Sequence, residues 1–320
     1  MIAYLLRRLV HTAILSFIIV TVVFMMIHLL PGDPATMILG GEDAQPTQED
    51  IDRVKTELGL DQPVYRQYVT WLGKISRLDF GVSFRNNEPV ASTVLLKRLP
   101  RSLMLGIPAT LLAIAIGVPL GILGARLRRT MWDPIISAVA LLGFSVPTFV
   151  IGTLLILLFA VRLGWLPAGS FVHPLDDMNG FLKAAALPIV SLALSPLAVI
   201  MRMTRSSVLE ELGSDYVRTA RAKGLAEAPV IVRHVMRNSM LPVITVMGLQ
   251  FGGLFAGSVI IEFIFNWPGM GRLFLTAIGQ RDYPVIQAVV LVVALSFVLI
   301  NLLTDLSYAF FDPRIRVDRN

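Results

Sequence analysis

The residues able to do chemistry are few, and their spacing excludes most of it. The chain has no cysteine, so disulfides, thiolate metal sites and cysteine nucleophiles fall away together. Its four histidines, His11, His28, His173 and His234, are scattered and lack the spacing of a metal site. One Gly-Lys pair, Gly73-Lys74, is followed by Ile75 and has no upstream glycine. A phosphate-cradling loop needs both that glycine and a Ser or Thr after the lysine. No Ser, His and Asp constellation for nucleophilic catalysis is identifiable. Ionisable side chains inside apolar runs are functional candidates, because lipid penalises charge. They reduce to Glu262 and Asp305, with Asp133 at an interface. Each is expected to sit near a helix end and reach water. That scarcity argues against a proton relay. The remaining candidates are polar or helix-breaking positions that could line a pathway: Ser145, Pro147 and Thr148 in one run, Gln250, Gly252 and Gly253 in another, with Glu262 beside them. Small residues also simply let helices pack.

The elements that must position these residues are membrane spans. Of 320 residues 55% are hydrophobic and 16% charged, against about 25% charged in a soluble domain. Mean hydropathy is +0.72. A span needs roughly 20 mostly apolar residues to cross a core about 30 Å thick. Six runs qualify: Val10–Leu30, Ser102–Gly124, Pro134–Val161, Ala184–Met201, Leu241–Phe265 and Val285–Leu306. The fourth is the shortest and carries Pro188 and Pro196. The first follows Arg7 and Arg8 like a signal peptide, but it is too long for a signal core and no small-x-small cleavage site follows. An uncleaved first span is expected.

Charge sets the orientation. The stretch before the first span, the second–third loop, the fourth–fifth loop and the C-terminal tail together hold 15 basic residues. The two short opposite loops hold four: Arg162, Lys183, Arg272 and Arg281. Cytoplasmic loops carry the excess of Lys and Arg, so both termini are expected to be cytoplasmic. The same rule accounts for the net charge of +6, and no basic stripe lies on a soluble module; no nucleic acid partner is expected. The organisation that follows is residues 1–30 as cytoplasmic N-terminus and first span, 31–101 as an external segment, 102–306 as a five-helix core with a cytoplasmic loop at 202–239, and 307–320 as a cytoplasmic tail.

The external segment is too long for a bare connection. Pro31-Gly-Asp-Pro34 is a turn where the first helix stops. Asp50–Leu58 reads as a short helix with Ile51, Val54 and Leu58 on one face, ended by Gly59. Val64–Leu78 reads as an amphipathic helix carrying Tyr65, Tyr68, Trp71, Leu72, Ile75 and Leu78. Those aromatics either anchor at headgroup level or form a docking surface for an external partner.

The loop Arg202–Asn238 is the most informative stretch. Ser214 is expected to cap a short helix over Asp215–Lys223 with its side chain, Asp215 and Lys223 suit the dipole at either end, and Gly224 supplies a left-handed stop. Pro229 is tolerated at the start of the next helix. Tyr216, Ala220 and Lys223 share one face, and small Ala220 permits close approach of a partner. Such a helix could transmit force to a soluble partner, be an ordinary solvated loop, or lie on anionic lipid.

Asp215-Tyr-Val-Arg-Thr-Ala-Arg-Ala-Lys-Gly224, followed by Arg237-Asn-Ser-Met-Leu-Pro242, resembles the "EAA" coupling loop of ABC importer permeases. The wording is nearest the dipeptide, oligopeptide and nickel branch, first-subunit type. Arg218-Thr219-Ala220 stands where the general motif has Glu-Ala-Ala. Further stretches agree in order along the chain: Pro31-Gly-Asp-Pro34, Glu57-Leu-Gly-Leu-Asp-Gln-Pro63, Leu78-Asp-Phe-Gly-Val-Ser-Phe84, Met201-Arg-Met-Thr-Arg-Ser-Ser207, Asn266-Trp-Pro-Gly-Met-Gly271, Arg281-Asp-Tyr-Pro-Val-Ile-Gln287 and Asp312-Pro-Arg-Ile-Arg316.

The resemblance implies an all-α integral membrane fold of six transmembrane helices, the type I importer permease, in a bacterial inner membrane. It implies a non-catalytic subunit that forms half of a translocation pathway for dipeptides or oligopeptides. A nickel chelate or glutathione is the alternative within the family; a self-contained secondary transporter is the alternative outside it. The implied partners are a second homologous permease, two ATPase subunits that use ATP and Mg, an external substrate-binding protein and the bilayer. No cofactor is implied for this chain. Carried over, Asp215–Gly224 is the docking element. Tyr216, Ala220 and Leu225 are expected to pack, Arg218, Arg221 and Lys223 to make polar contacts, and Asp215, Thr219, Ala222 and Gly224 to complete the element.

Overall fold

The computed structural model describes residues 2–29, 35–36 and 47–311. The turn at Pro31–Pro34 and the tail motif from Asp312 lie outside the described residues. Among the described residues the main helices follow in order: α1 (Ile2–Leu29), α2 (Gln48–Leu58), α3 (Val64–Ile75), α4 (Ser92–Arg126), α5 (Trp132–Ser145), α6 (Thr148–Arg162), α7 (Met178–Leu212), α8 (Asp215–Ala222), α9 (Glu227–Gly252), α10 (Leu254–Ile264), α11 (Met270–Gln280) and α12 (Tyr283–Phe311). Four of them, α1, α4, α7 and α12, are long and apolar enough to cross a membrane singly.

The frame is α4 laid along α7, each 35 residues long. Small residues make that contact close, as between helices in lipid, where packing rather than water drives association. Gly117, Gly121 and Gly124 run down the α4 face. A methyl at Gly121 would lie 2.6 Å from the Met201 carbonyl oxygen of α7 and 2.6 Å from Thr204 Cβ. Gly121→Leu is therefore expected to force the two helices apart at a cost of about 1–3 kcal/mol, read as a lower thermal midpoint and poorer recovery from membranes. Gly73→Ala, where a methyl meets nothing within 4 Å, should leave both unchanged.

Three spans differ from the reading of the sequence. The fourth, expected to be the shortest, lies within α7, which runs unbroken through Pro188 and Pro196. At 1.5 Å per residue α7 is about 52 Å long, well beyond a core of about 30 Å. Its last turns, Arg202–Leu212, expected as part of a loop, are therefore helix. The third span is broken at Ser145-Val146-Pro147, where Pro147 is extended (φ −57°, ψ 139°) and α6 starts afresh. Proline disfavours helical geometry in the residue before it. The fifth begins earlier, at Glu227, and is bent by 48° between α9 and α10.

Staples between distant segments close the bundle. Arg8 on α1 donates to Asp305 on α12 at 2.6 Å, which puts the start of α1 and the end of α12 at the same face of the bundle. Gln287 Nε2 on α12 donates to the Val23 carbonyl of α1 at 3.1 Å. Asp133, at the start of α5, accepts from Arg205 of α7 at 2.5 Å and from the Arg129 N–H at 3.1 Å. Neither Asp133 nor Asp305 is a free helix end in water. The Arg129 N–H, and after it the Arg205 guanidinium, hold the Asp133 carboxyl below its ordinary range against the opposing effect of desolvation. A depressed carboxyl stabilises the fold above the unfolded-state pKa and loses that effect as pH falls through the folded value. Thermal midpoints of the wild type and Asp133→Asn are thus expected to differ at neutral pH and to converge below about pH 4.

The segment between α1 and α4 docks on these helices. Thr47 caps α2 by accepting from the Asp50 N–H, and Gly59 ends it in the left-handed region (φ 68°). α3 stops at Ile75, short of the expected Leu78, which itself has φ 58°. Two of the α3 aromatics lie against α1: Tyr68 Oη and Thr21 Oγ1 are 2.7 Å apart, and the Phe24 ring sits 5.1 Å from Tyr68 and 5.5 Å from Trp71. Tyr65 stays 65% exposed, so the helix keeps an outward face. Further along, buried Asp282 accepts from the Ser83 hydroxyl and, at 3.2 Å, from the Phe84 N–H. That ties the Leu78–Phe84 motif to the corner between α11 and α12.

Candidate coupling site

The site is α8 and the corner after it. Its inner face is Val217, fully buried, and Ala220, 7% exposed, three residues apart; they pack with Ala125, Val208, Val230 and Val235. A valine amid charged residues is the signal in the sequence for this inner face. Ala220 is small for its own chain's sake: it faces this internal core, not a partner. The other nine expected residues, Asp215, Tyr216, Arg218, Thr219, Arg221, Ala222, Lys223, Gly224 and Leu225, are all exposed. Leu225 is 44% exposed, an apolar side chain left facing out.

The ends of α8 are set locally. Ser214 occupies the N-cap position with extended backbone (φ −72°, ψ 151°) but makes no side-chain cap. Its hydroxyl donates instead to the Glu211 carbonyl at 2.6 Å, because the tight turn from α7 places that acceptor nearer. At the other end Gly224 has φ 78°. The Gly224 N–H donates to Arg221 O at 2.9 Å and the Leu225 N–H to Ala220 O at 3.4 Å. A glycine stop of this kind satisfies the last carbonyls of a helix.

Side chains then lock α8 to both neighbours. The Tyr216 hydroxyl donates to Glu211 at the end of α7 and accepts from Asn238 Nδ2 of α9 at 3.1 Å. Partial desolvation, and next the Glu211 bond, push the exposed Tyr216 phenol above its ordinary pKa of 10.0. Arg221 reaches across the glycine corner to Glu227 in two bonds of 2.8 and 3.3 Å. By contrast the Arg218–Asp215 pair, 3.5 Å apart, has side chains 73% and 97% exposed and adds little. Glu211, Asn238 and Glu227 were not foreseen, since each lies five or more residues from its partner and no helical period links them. The result is a short lever with a buried inner face, an open outer face, and fixed joints to α7 and α9.

The expected pathway residues do not converge. Gly252 is buried, where a methyl would sit 2.8 Å from the Phe297 ring. With Gly253 it borders an apolar cleft of 490 Å³ that also meets Ile19, Val259 and Phe274. Ser145, Pro147, Thr148 and Gln250 do not line that cleft. Ser145 and Pro147 are exposed at the break between α5 and α6, while Thr148 and Gln250 are half-buried. Glu262 overturns the expectation that it reaches water: it is fully buried. Its carboxyl group accepts from Ser102 Oγ of α4 at 2.6 Å and from the Gly271 and Arg272 N–H groups at 2.7 and 3.2 Å. Ser102 Oγ in turn accepts from the Met270 N–H at 2.7 Å. Those N–H groups open α11, where a helix has donors to spare. Nearby, buried Trp267 donates from Nε1 to Arg101 O at 2.8 Å. Among the described residues no group of three His, Asp or Glu could hold a metal.

A bundle of long apolar helices, with a short anchored helix between two of them, is the architecture of a membrane transport subunit. Residues 117–317 match the family described as "Binding-protein-dependent transport system inner membrane component", and residues 1–106 match the N-terminal family of the same membrane components. The chain belongs to this family: it is a permease subunit of an ABC importer, a multi-pass protein of the inner membrane that leaves ATP hydrolysis to separate subunits. It is 42% identical over 320 residues, 99% of each chain, to the glutathione transport system permease protein GsiC of Escherichia coli (strain K12) and equally to that of Shigella dysenteriae serotype 1 (strain Sd197). In fold it is similar to a chain of the inward-facing MetNI methionine ABC transporter, CY5 native crystal form, with a TM-score of 0.57 and 16% identity over 68% of this chain and 96% of that one.

Proposed function

We propose that the chain forms half of the translocation pathway for a small peptide, with glutathione as the first substrate to test. Glutathione is itself a tripeptide, so the 42% identity to glutathione permeases and the peptide reading of the motifs point to one substrate class. Dipeptides and longer peptides stand beside it; nickel chelates have no specific support. The partners are a second permease of the same kind, two ATPase subunits and an external binding protein. Our reading is six crossings: α1 starts and α12 ends at one face, which supports an even number, and the split pair α5–α6 is taken as the crossing beside the four long helices and the bent pair α9–α10.

The observation that carries the coupling role is the construction of α8. Its outer face is exposed, and its joints at Tyr216 and Arg221 lead directly to α7 and α9. A push from an ATPase on Arg218, Lys223 and Leu225 is passed to both helices, and through α9 to the bend before α10. The test is uptake of labelled glutathione, dipeptides and oligopeptides into proteoliposomes holding the chain with the products of its neighbouring genes. ATP-dependent uptake of one of these peptides is expected. Uptake by the chain alone, driven by a proton gradient, would overturn the reading.

A further inference from the structure

Between α5 and α7, apart from α8, lies a cleft of 220 Å³. Ile136, Ala140, Leu141 and Met201 form its walls, and Arg202 and Arg205 stand at its mouth. The two guanidinium groups differ. Arg205 is engaged by Asp133 at 2.5 Å, although its Nε is buried with no partner. Arg202 is exposed, lies over the Phe144 ring at 5.1 Å, and has no carboxylate in ion-pair reach among the described residues. Arg128 adds positive charge near Asp133. The mouth thus holds two cations, of which one is neutralised by Asp133, at the end of the bundle that the charge bias assigns to the cytoplasm. Met131 and Trp132, next to Asp133 in the chain, are exposed, as aromatics are at the headgroup region.

We infer that this cleft binds one anionic phospholipid of the cytoplasmic leaflet, its phosphate on Arg202 and an acyl chain along Ile136 and Leu141. A soluble anion would leave the apolar walls bare. A zwitterionic lipid would bring its own cation to a mouth already rich in positive charge. Guanidinium suits phosphate because it offers paired, charge-assisted donors, and basic pockets between helices on this side of a membrane take such headgroups.

The test is native mass spectrometry of the purified full chain with added phosphatidylglycerol. A retained phosphatidylglycerol adduct is expected, weakened about tenfold in Arg202→Gln and largely kept in Arg202→Lys. Leu141→Trp, which fills the cleft without touching charge, should also remove it, so the inference stays testable if one variant fails to fold. Phosphatidylcholine should bind all variants alike, and glycerol 3-phosphate should not displace the lipid. Equal phosphatidylglycerol adducts in wild type, Arg202→Gln and Leu141→Trp would overturn it. So would displacement by glycerol 3-phosphate, which would assign a site for free phosphate esters instead.

Discussion

Glu262→Ala is expected to leave little folded protein in the membrane. The substitution removes an acceptor used by Ser102, Gly271 and Arg272 in a place no water reaches, since Glu262 is fully buried. Each buried donor left without a partner costs about 1–3 kcal/mol. A cavity the size of the lost side chain adds to that, and together the loss is on the order of 3–5 kcal/mol, a large part of the whole stability of an ordinary domain. The contact also joins three elements: α10, the N-terminal part of α4 and the start of α11. Glu262→Gln keeps the volume and one acceptor, so it should fall between wild type and alanine. Expression yield, monodispersity and thermal midpoint of the purified chain check the order wild type, Gln, Ala. A Glu262→Ala protein as stable as wild type but defective in uptake would instead make Glu262 a pathway residue.

Gly224→Pro is expected to leave the protein folded and abolish ATP-dependent uptake. At φ 78° the position lies where proline, locked near −65°, cannot go. Proline also deletes the N–H that donates to Arg221 O at 2.9 Å. Strain of about 1–2 kcal/mol plus a lost hydrogen bond of about 1 kcal/mol is enough to reorganise an exposed corner. It is too little to unfold the bundle, whose main core lies elsewhere. The displaced corner carries Leu225 and separates Arg221 from Glu227, so the outer face of α8 is no longer presented on fixed joints. Since about 1.4 kcal/mol is tenfold in an equilibrium, a loss of uptake of tenfold or more is expected. Gly224→Asn, which tolerates the left-handed region better, should retain more. Insertion and thermal midpoint near wild type, with uptake lost, would support the lever; undiminished uptake would refute it.

The division between the two levels of information is physical. Periodicity, apolar run length and the Lys/Arg bias are local sums, and they sufficed for an all-helical membrane chain and for the Gly59 and Gly224 corners, whose left-handed geometry is a property of one residue. The motif residues Ser83, Asp282, Trp267 and Gln287 were visible as words in the sequence, but their meaning was not. Each acts through a partner more than 150 residues away, and no local rule pairs them. The same holds for Glu262. A carboxyl in an apolar run reads as a helix end seeking water, until the fold brings the first N–H groups of α11 and the Ser102 hydroxyl to it. The broken third span and the long α7 also depended on neighbours. Pro147 stands at a break whereas Pro188 and Pro196 are absorbed in a helix held along its length by α4. Composition and pattern therefore determined what this chain is made of and where it lives. Tertiary structure alone decided which of its polar groups face each other, because a hydrogen bond in a dry interior depends on a few tenths of an ångström that no spacing along the chain can specify.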